Sequence, residues 1–504
     1  MASSIRRGLE RECLRVTPKG DIADTLHSKA IGSALTHPYI TTDYSEALLE
    51  FITPTLQDPQ ELLDFLQELH LFTLKNIGDE ILWNNSMPCL LRKDSEIPIA
   101  YYGTSNIGKM KTIYRKGLFH RYGSSMQTIS GVHFNFSLSD ECFEKLRQKD
   151  SFQGGFQDYK SKKYMTAIRN IHKYSWLIPY MMGSSPSICR SFLHKTSKKY
   201  NLIKFDERGT LSYQGATSLR LSHLGYTNAE QFHINISYNS LESYIRDLRQ
   251  IIHSKSKDWE KIGIIENNEY KQLNDNILQL ENEYYSGVRP KRKTLSGESP
   301  TNALAERGVE YIEIRSLDVN PFSLIGINLD QILFLDVFLL FCLLSDAEKF
   351  DLEATNEYRK NQELVARHGR TPDIVLFRSG EKVALLDWGK ELFQDLFKIA
   401  HALDGTYDYS KAISTFEKGL TDPNLLYSAK LECDMQDNNE TFFQHTLRRS
   451  AEISDLLRSK PLPTEKDAHL AQVTRQSLKR QEEIEKSDDL EFKDFLAHYF
   501  QQNI

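Results

Sequence analysis

The sequence predicts an α+β protein built on antiparallel strands, each with one buried and one polar face. Three observations carry this. Several short segments alternate apolar and polar residues with period two, the pattern of a half-buried strand. Longer segments carry apolar residues at helical spacing behind capping residues. From about residue 390 onward the chain reads as mostly helical and polar.

Composition sets the outer limits. The chain has 504 residues, 40% hydrophobic and 26% charged, enough for one large domain or two ordinary ones. A formal net charge of −6 argues against nucleic acid as a main partner. Six cysteines (Cys13, Cys89, Cys142, Cys189, Cys342 and Cys433) lie far apart, without C-x-x-C or a zinc-type cluster. The opening MASSIRRGLE lacks the apolar core of a secretory signal. The expectation is a cytoplasmic protein with free thiols. The most apolar run, ILFLDVFLLFCLL (332–344), is too short to span a bilayer and is interrupted by Asp336. It reads as a buried helix, capped by Asn328 with Gln331 three residues on, and Asp336 as a hydrogen-bonded core residue.

The elements follow in order. In RRGLERECLR (6–15), a strand puts Glu10 and Glu12 on one face and Arg11, Cys13 and Arg15 on the other. Read alone, this is a solvated edge strand; the alternative is that a cation sits between the carboxylates. Asp58 and Pro59 open a helix over 58–77. SGVHFNFS (130–137) reads as a strand with His133 and Asn135 on its polar face. A helix is expected over 164–182, kinked or ended by Pro179. QFHINISYN (231–239) reads as a strand, followed by a helix over 239–253 with Asn239 and Glu242 in a capping-box pattern.

NILQLENEYY (276–285) reads as a strand presenting Glu281 and Glu283, and VEYIEIRSLDVNP (309–321) as one presenting Glu313 and Arg315. Between them, GVRPKRKTLSGESP (287–300) is a basic loop, either plain flexible surface or a source of cations for a bound nucleotide. These polar faces carry Glu, His, Asn and Arg, groups that hold metals and anions. With Glu50, the acidic residues make a sheet face that needs divalent cations, which take oxygen ligands and keep substrate phosphates as the rest of their shell. Arg115, Arg121, Arg220 and Arg315 are the remaining candidate clamps for carboxylate or phosphate.

Several of these stretches together resemble one family. GLERECLR, TTDYSEALLEFITP, YGTSNIGKMKTIYRKGL, RYGSSMQTISGVHFNFS, ATSLRLSHLGYTN, LENEYYSGVRPKR, SGESP and VEYIEIRSLDVNPFSLIG are similar to the proteobacterial type of glutamate–cysteine ligase, also called gamma-glutamylcysteine synthetase. The likeness runs from about residue 5 to 345 and is weaker beyond.

The resemblance implies a glutamine-synthetase-like catalytic fold, a curved and mostly antiparallel sheet forming a funnel surrounded by helices. It implies a catalytic region over 1–345 and a mainly helical region over 346–504 packed on it. It implies ATP- and magnesium-dependent ligation of L-glutamate to L-cysteine, the first step of glutathione synthesis, with manganese as an alternative metal. The expected partners are these small molecules alone, with no membrane and a monomeric chain. By the same likeness, Glu10, Glu12, Asp43, Glu50 and Glu313 correspond to metal-binding carboxylates, Arg315 to a residue near the transferring phosphoryl group, and His133 to a polar residue facing it. Tyr114, Arg115, Arg220 and Tyr226 fall in segments lining the amino-acid sites, and Arg289, Lys291 and Arg292 in the segment offered to the nucleotide. Asp43 is expected in the turn before the Glu50 strand, since the two are seven residues apart. Two other readings use the same carboxylates: a two-metal phosphohydrolase, and a non-catalytic subunit on the same fold.

Overall fold

A computed structural model describes residues 1–88, 90–91, 93–193, 200–225, 234–295 and 297–502. Its centre is a seven-stranded antiparallel sheet. The strands are β1 (Ile5–Val16), β2 (Ile40–Thr42), β3 (Leu48–Ile52), β4 (Ile81–Leu82), β5 (Val132–Leu138), β6 (Val288–Lys291) and β7 (Tyr311–Leu317). They run in the order β6-β7-β5-β1-β3-β2, with β4 paired to the end of β1. The sheet is open, with β6 and β2 at its edges.

Alternation decides which face is buried. Leu9 and Cys13 of β1, Phe51 of β3, Phe134 and Phe136 of β5, and Ile312 and Ile314 of β7 join one apolar cluster. Helices cover that face: α1 (Pro59–Asn76), the Phe156–Lys173 helix and the Leu329–Leu344 core helix. Asp58 caps α1 by accepting from the Gln60 and Glu61 amides, with Pro59 first in the helix, an arrangement worth about 1 kcal/mol. The core helix opens with the expected capping box, Asn328 and Gln331 each satisfying the other's backbone. It is buried on every side from Gln331 to Leu343. Asp336 within it pairs with Arg7 of β1 at 2.6 Å.

Later helices complete this core. Leu385–Leu403 and Tyr409–Thr421 pack on the core helix, contributing Trp388, Phe393 and Phe416. At the other end of the chain, Phe492–Gln501 lies against α2 (Asn106–Tyr122), where Leu496 and Tyr499 meet Met110 and Ile113.

The structure corrects several expectations. Residues 276–285 form no strand: Glu281–Glu283 is a single 3-10 turn, and both glutamates are buried against partners rather than on the sheet. Alternation over so few residues does not distinguish a strand from an irregular segment whose apolar side chains face inward. Of 231–239, residues 231–233 lie outside the described residues and 234–238 are not a strand. The 164–182 segment is two helices, Phe156–Lys173 and Leu177–Met182. The break falls at 174–176, and Pro179 sits in the first turn of the second helix, where no intrahelical bond is lost. The Leu241–Ile252 helix is capped by Ser240 and Ser243, not Asn239 and Glu242. Part of the basic loop is ordered as β6, with Arg289 paired in register to Glu313.

Candidate active site

The uncovered face of the sheet lines a cavity of about 660 Å³. Its floor comes from register. β1 and β5 pair Glu10 with His133, β1 and β3 pair Glu12 with Glu50, and β7 pairs Glu313 with Asn135 of β5. Directly opposed side chains on one face start about 5 Å apart at Cβ, so these residues must interact.

The contacts are specific. His133 sits between two carboxylates, Nδ1 at 3.1 Å from Glu10 Oε2 and Nε2 at 3.6 Å from Glu12 Oε1. The Asn135 amide donates to Glu10 Oε1 at 2.9 Å, and the Gly131 N–H donates to Glu12 Oε2 at 2.7 Å. Arg315 donates to Glu313 Oε2 at 3.1 Å, and Lys291 lies 3.3 Å from Glu313 Oε1. Glu313 is fully buried, yet its Oε1 accepts no hydrogen bond.

Electrostatics divide the carboxylates into two groups. Burial opposes ionisation of Glu313, but Lys291, Arg315, His133 and Arg289 outweigh it and hold the carboxyl well below the usual range. Glu50 goes the other way: burial, then the charges of Glu10, Asp43 and Glu12, push it well above. Burial also raises Glu12, although His133 opposes. Burial and Glu313 push Glu10 up, and His133 with Lys291 brings it below its ordinary value. Burial and neighbouring carboxylates therefore oppose ionisation of Glu50 and Glu12, while His133 and Lys291 favour it at Glu10. Glu10, Glu50 and His133 place one ligand atom each within 4.8 Å of one another. A half-buried donor set of this kind, rich in carboxylate oxygen, fits a hard divalent cation, and Asp43 lines the same cavity from the turn between β2 and β3.

The opposite wall is helical. Lys111, Tyr114 and Arg115 of α2 face the cavity, brought to one side by helical spacing. Arg115 donates to the Asp43 carbonyl and, at 2.9 Å, to the Lys111 carbonyl. Burial and the Arg115 charge lower the Lys111 ammonium to about 8.

The remaining sequence candidates are distributed as follows. Arg289 and Lys291 line the cavity; Arg292 points to Glu310 at 3.8 Å and does not. Arg220 is buried behind the site, donating to the Arg315 carbonyl at 2.7 Å, with Asp318 at 3.7 Å. Its guanidinium lies so close to Gly131 that any Cβ there would collide with it. Tyr226 lies outside the described residues. Arg121 is taken up by Glu283 at 3.0 Å and serves the scaffold. Lys111, Gln127, Tyr285 and Tyr499 also line the cavity and were not singled out from sequence. Lys111 was legible as the i, i+4 partner of Arg115; Tyr499, near the chain's end, carried no such signal.

Comparison with known proteins bears on what this cavity does. A family model described as glutamate–cysteine ligase matches residues 1–365. The chain belongs to the glutamate–cysteine ligase family. It is 44% identical to the Alcanivorax borkumensis glutamate–cysteine ligase, covering 99% of this chain and 96% of that protein. It is also 44% identical to the Pseudomonas putida enzyme of that name, covering 98% and 94%. A crystal structure of glutamate–cysteine ligase from Francisella tularensis in complex with AMP superposes with a TM-score of 0.93 at 35% identity, covering 99% of this chain and 98% of that one. The α+β fold with its antiparallel sheet is thus shared with that member of the family. Among the described residues, no helix is long and apolar enough to cross a membrane.

Proposed function

We propose that this chain joins the γ-carboxylate of L-glutamate to the amine of L-cysteine, driven by ATP and dependent on magnesium or manganese, as the first step of glutathione synthesis. The observation that carries the reading is the sheet face itself: in a member of this family, Glu10, Glu12, Glu50 and His133 adjoin an Arg315–Glu313–Lys291 cluster in one cavity.

The chemistry requires both groups. A carboxylate is a poor acyl donor, so it is first phosphorylated to a γ-glutamyl phosphate, which the cysteine amine then attacks with loss of phosphate. The first step brings two anions together. Its barrier falls when positive charge is already in place around the transferring group. Divalent cations held by Glu10, Glu12, Glu50, Glu313 and Asp43 would supply part of that charge. Arg315 supplies more, and Glu313 fixes its orientation through the 3.1 Å bond. Lys291, and Arg289 beside it, extend the positive edge toward the nucleotide. Hydrogen bonds from Asn135 and Gly131 hold Glu10 and Glu12 in place, so little reorganisation is needed during reaction. The behaviour of Arg220 differs from a ligand's in this structure: its contact with the Arg315 carbonyl supports the β7 backbone.

Incubation with ATP and magnesium, omitting each amino acid in turn, tests the reading. ADP should form rapidly only with glutamate and an acceptor amine together. 2-Aminobutyrate should replace cysteine, with a discrimination of about 1–3 kcal/mol, because the amine is the nucleophile and the thiol contributes recognition. Phosphate release without glutamate would overturn the reading in favour of a phosphohydrolase; no turnover under any condition would make the chain a non-catalytic subunit.

A further inference from the structure

Two walls of the cavity lie outside the sheet and come from distant parts of the chain. α2 supplies one, with Met110 and Tyr114; the chain after β6 supplies the other, with Gly297, Glu298 and Pro300. The Phe492–Gln501 helix lies between them. In its sequence, FKDFLAHYFQ, the residues Phe492, Phe495, Leu496 and Tyr499 recur at helical spacing and share one face. That face is laid on α2. Leu496 and Tyr499 join Met110, Ile113 and Leu280 in a small apolar cluster, and Tyr499 reaches the cavity.

Polar contacts tie this segment to a wall at each end. Before the helix, the Asp488 carboxylate accepts from the backbone N–H of Asn106, the first residue of α2, and from its side-chain amide at 2.7 Å. The same amide donates to the Leu490 carbonyl at 2.7 Å. The first N–H groups of a helix have no partner within it, so a carboxylate there satisfies one of them and suits the positive end of α2. After the helix, Gln502 makes a matched pair of bonds. Its Oε1 accepts from the Ser299 N–H at 3.0 Å, and its Nε2 donates to the Gly297 carbonyl at 2.7 Å. Gly297 turns the chain at a φ of +75°, a conformation that favours glycine, and Ser299 caps the Pro300–Arg307 helix that follows. Of the ten residues in the Phe492–Gln501 helix, only Leu496 and Tyr499 are buried. With so little apolar surface covered, the ties at Asn106 and at Gly297 and Ser299 carry a large share of what holds the segment in place.

We propose that residues 488–502 form a clasp across the cavity, and that Gln502 is the positioning residue that closes it. Closed, the clasp holds residues 297–300 beside α2 and keeps Tyr499 in the wall between them. Open, it exposes that side of the cavity to solvent and gives small molecules a way in and out. Gln502 touches no substrate in this scheme; it acts through Gly297 and Ser299. The consequence for the reaction rests on the ligase reading. A γ-glutamyl phosphate is an acyl donor toward water as well as toward an amine. Attack of water on its carbonyl carbon forms a C–O bond, breaks the bond to the phosphate oxygen, and returns glutamate and inorganic phosphate. ATP is then spent and no dipeptide forms. A wall that shuts before the phosphoryl group moves suppresses that side reaction.

Breaking the clasp at either end of the full chain tests it. Gln502→Ala removes the tie to Gly297 and Ser299, and Asn106→Ala removes the side-chain tie to Asp488 and Leu490. Each should raise ADP formation with glutamate and no acceptor amine by roughly tenfold, the effect of losing one or two hydrogen bonds, while the rate with both amino acids stays within about threefold. Gln502→Glu keeps an acceptor for Ser299 but no donor for Gly297 and should fall between. Hydrogen exchange of the backbone amides over 492–501 should quicken by a similar factor in the two alanine variants, with the midpoint of global thermal unfolding unchanged. A merely structural contact would lower both ADP-forming rates together and leave their ratio as it was. That outcome, or unchanged exchange over 492–501, overturns the clasp. Wild-type protein that forms no ADP even with both amino acids would instead overturn the ligase reading, and the exchange measurement would still decide whether the two ties hold the segment closed.

Discussion

The two faces of β1 handle buried charge in opposite ways. On the covered face, Arg7, Arg11 and Arg15 alternate with Leu9 and Cys13, and all three arginines are buried. Two of them are matched by a carboxylate: Arg7 grips Asp336 with bonds of 2.6–2.9 Å and Arg15 meets Glu80 at 2.6 Å, whereas Arg11 donates to the neutral Asn84 at 2.9 Å and burial lowers it to about 9. On the cavity face, Glu10 and Glu12 share one imidazole and sit beside a third carboxylate, Glu50. Buried charge matched inside the protein holds the scaffold together. Buried charge gathered with too few partners costs stability and is explained by what it receives.

The largest effect expected from this contrast is on turnover. Glu10→Gln, Glu12→Gln and Glu313→Gln should each fold and lose about three or more orders of magnitude in kcat, because each removes a carboxylate that would hold the cations phosphoryl transfer needs. Near wild-type kcat in all three would break the comparison. On the matched face the effect should be on stability. Asp336→Ala leaves the Arg7 guanidinium buried without its carboxylate and should cost about 3–5 kcal/mol in denaturant unfolding. The fraction that remains folded should keep its kcat. A destabilisation under about 1 kcal/mol would show that the pair is not what holds β1 to the core helix.

A smaller loss is expected of Arg315→Lys. Charge is kept but the planar fork is lost, so kcat should fall on the order of 10- to 100-fold at unchanged thermal stability. An unchanged kcat would remove Arg315 from the phosphoryl-transfer step.

At neutral pH the smallest change is expected from a pair of scaffold histidines, whose effect is on acid stability. Burial lowers His37 to about 4, and burial with the Arg11 charge lowers His70 to about 3. The unfolded chain therefore binds protons that the folded chain refuses. Stability present above about pH 6.5 should fall as pH drops toward about 4, by about 1.4 kcal/mol per pH unit for each histidine. His70→Gln should flatten that slope without changing the rate at neutral pH; a slope that stays the same would mean the ring is not neutral in the fold.

Much of this was legible in the sequence, for a definite reason. β1 around Glu10, β5, and β7 up to Arg315 alternate, so the same residues that named the strands, Glu10, His133 and Glu313, also named the face they share. Helical spacing named α1, and an unbroken apolar run named the core helix, each with its cap. What failed was short or irregular. Glu281 and Glu283 share the alternation of a strand, but Glu283 is satisfied by Arg121 and Tyr122, and Glu281 by Thr301. Pairing energy with residues far along the chain, invisible in a local window, decided their conformation. Arg292 carries the charge expected of a ligand, but its direction depends on Glu310, which only the fold brings near.

Tyr499 lining the cavity has a consequence for how this protein is made. β1 is synthesised first, yet it acquires β5 only after residue 138, and β7 joins β5 only after residue 317. The wall that contains Tyr499 arrives last of all. β1 can pair with β3 early, but a nascent chain carries an open sheet edge until residue 317 has emerged, the period in which exposed strand edges recruit one another. Glu10 and Glu12 repel a second copy of the same strand laid against it in register. The residues that make the finished sheet difficult to close are the ones that keep its first strand soluble on the ribosome until its own partners emerge.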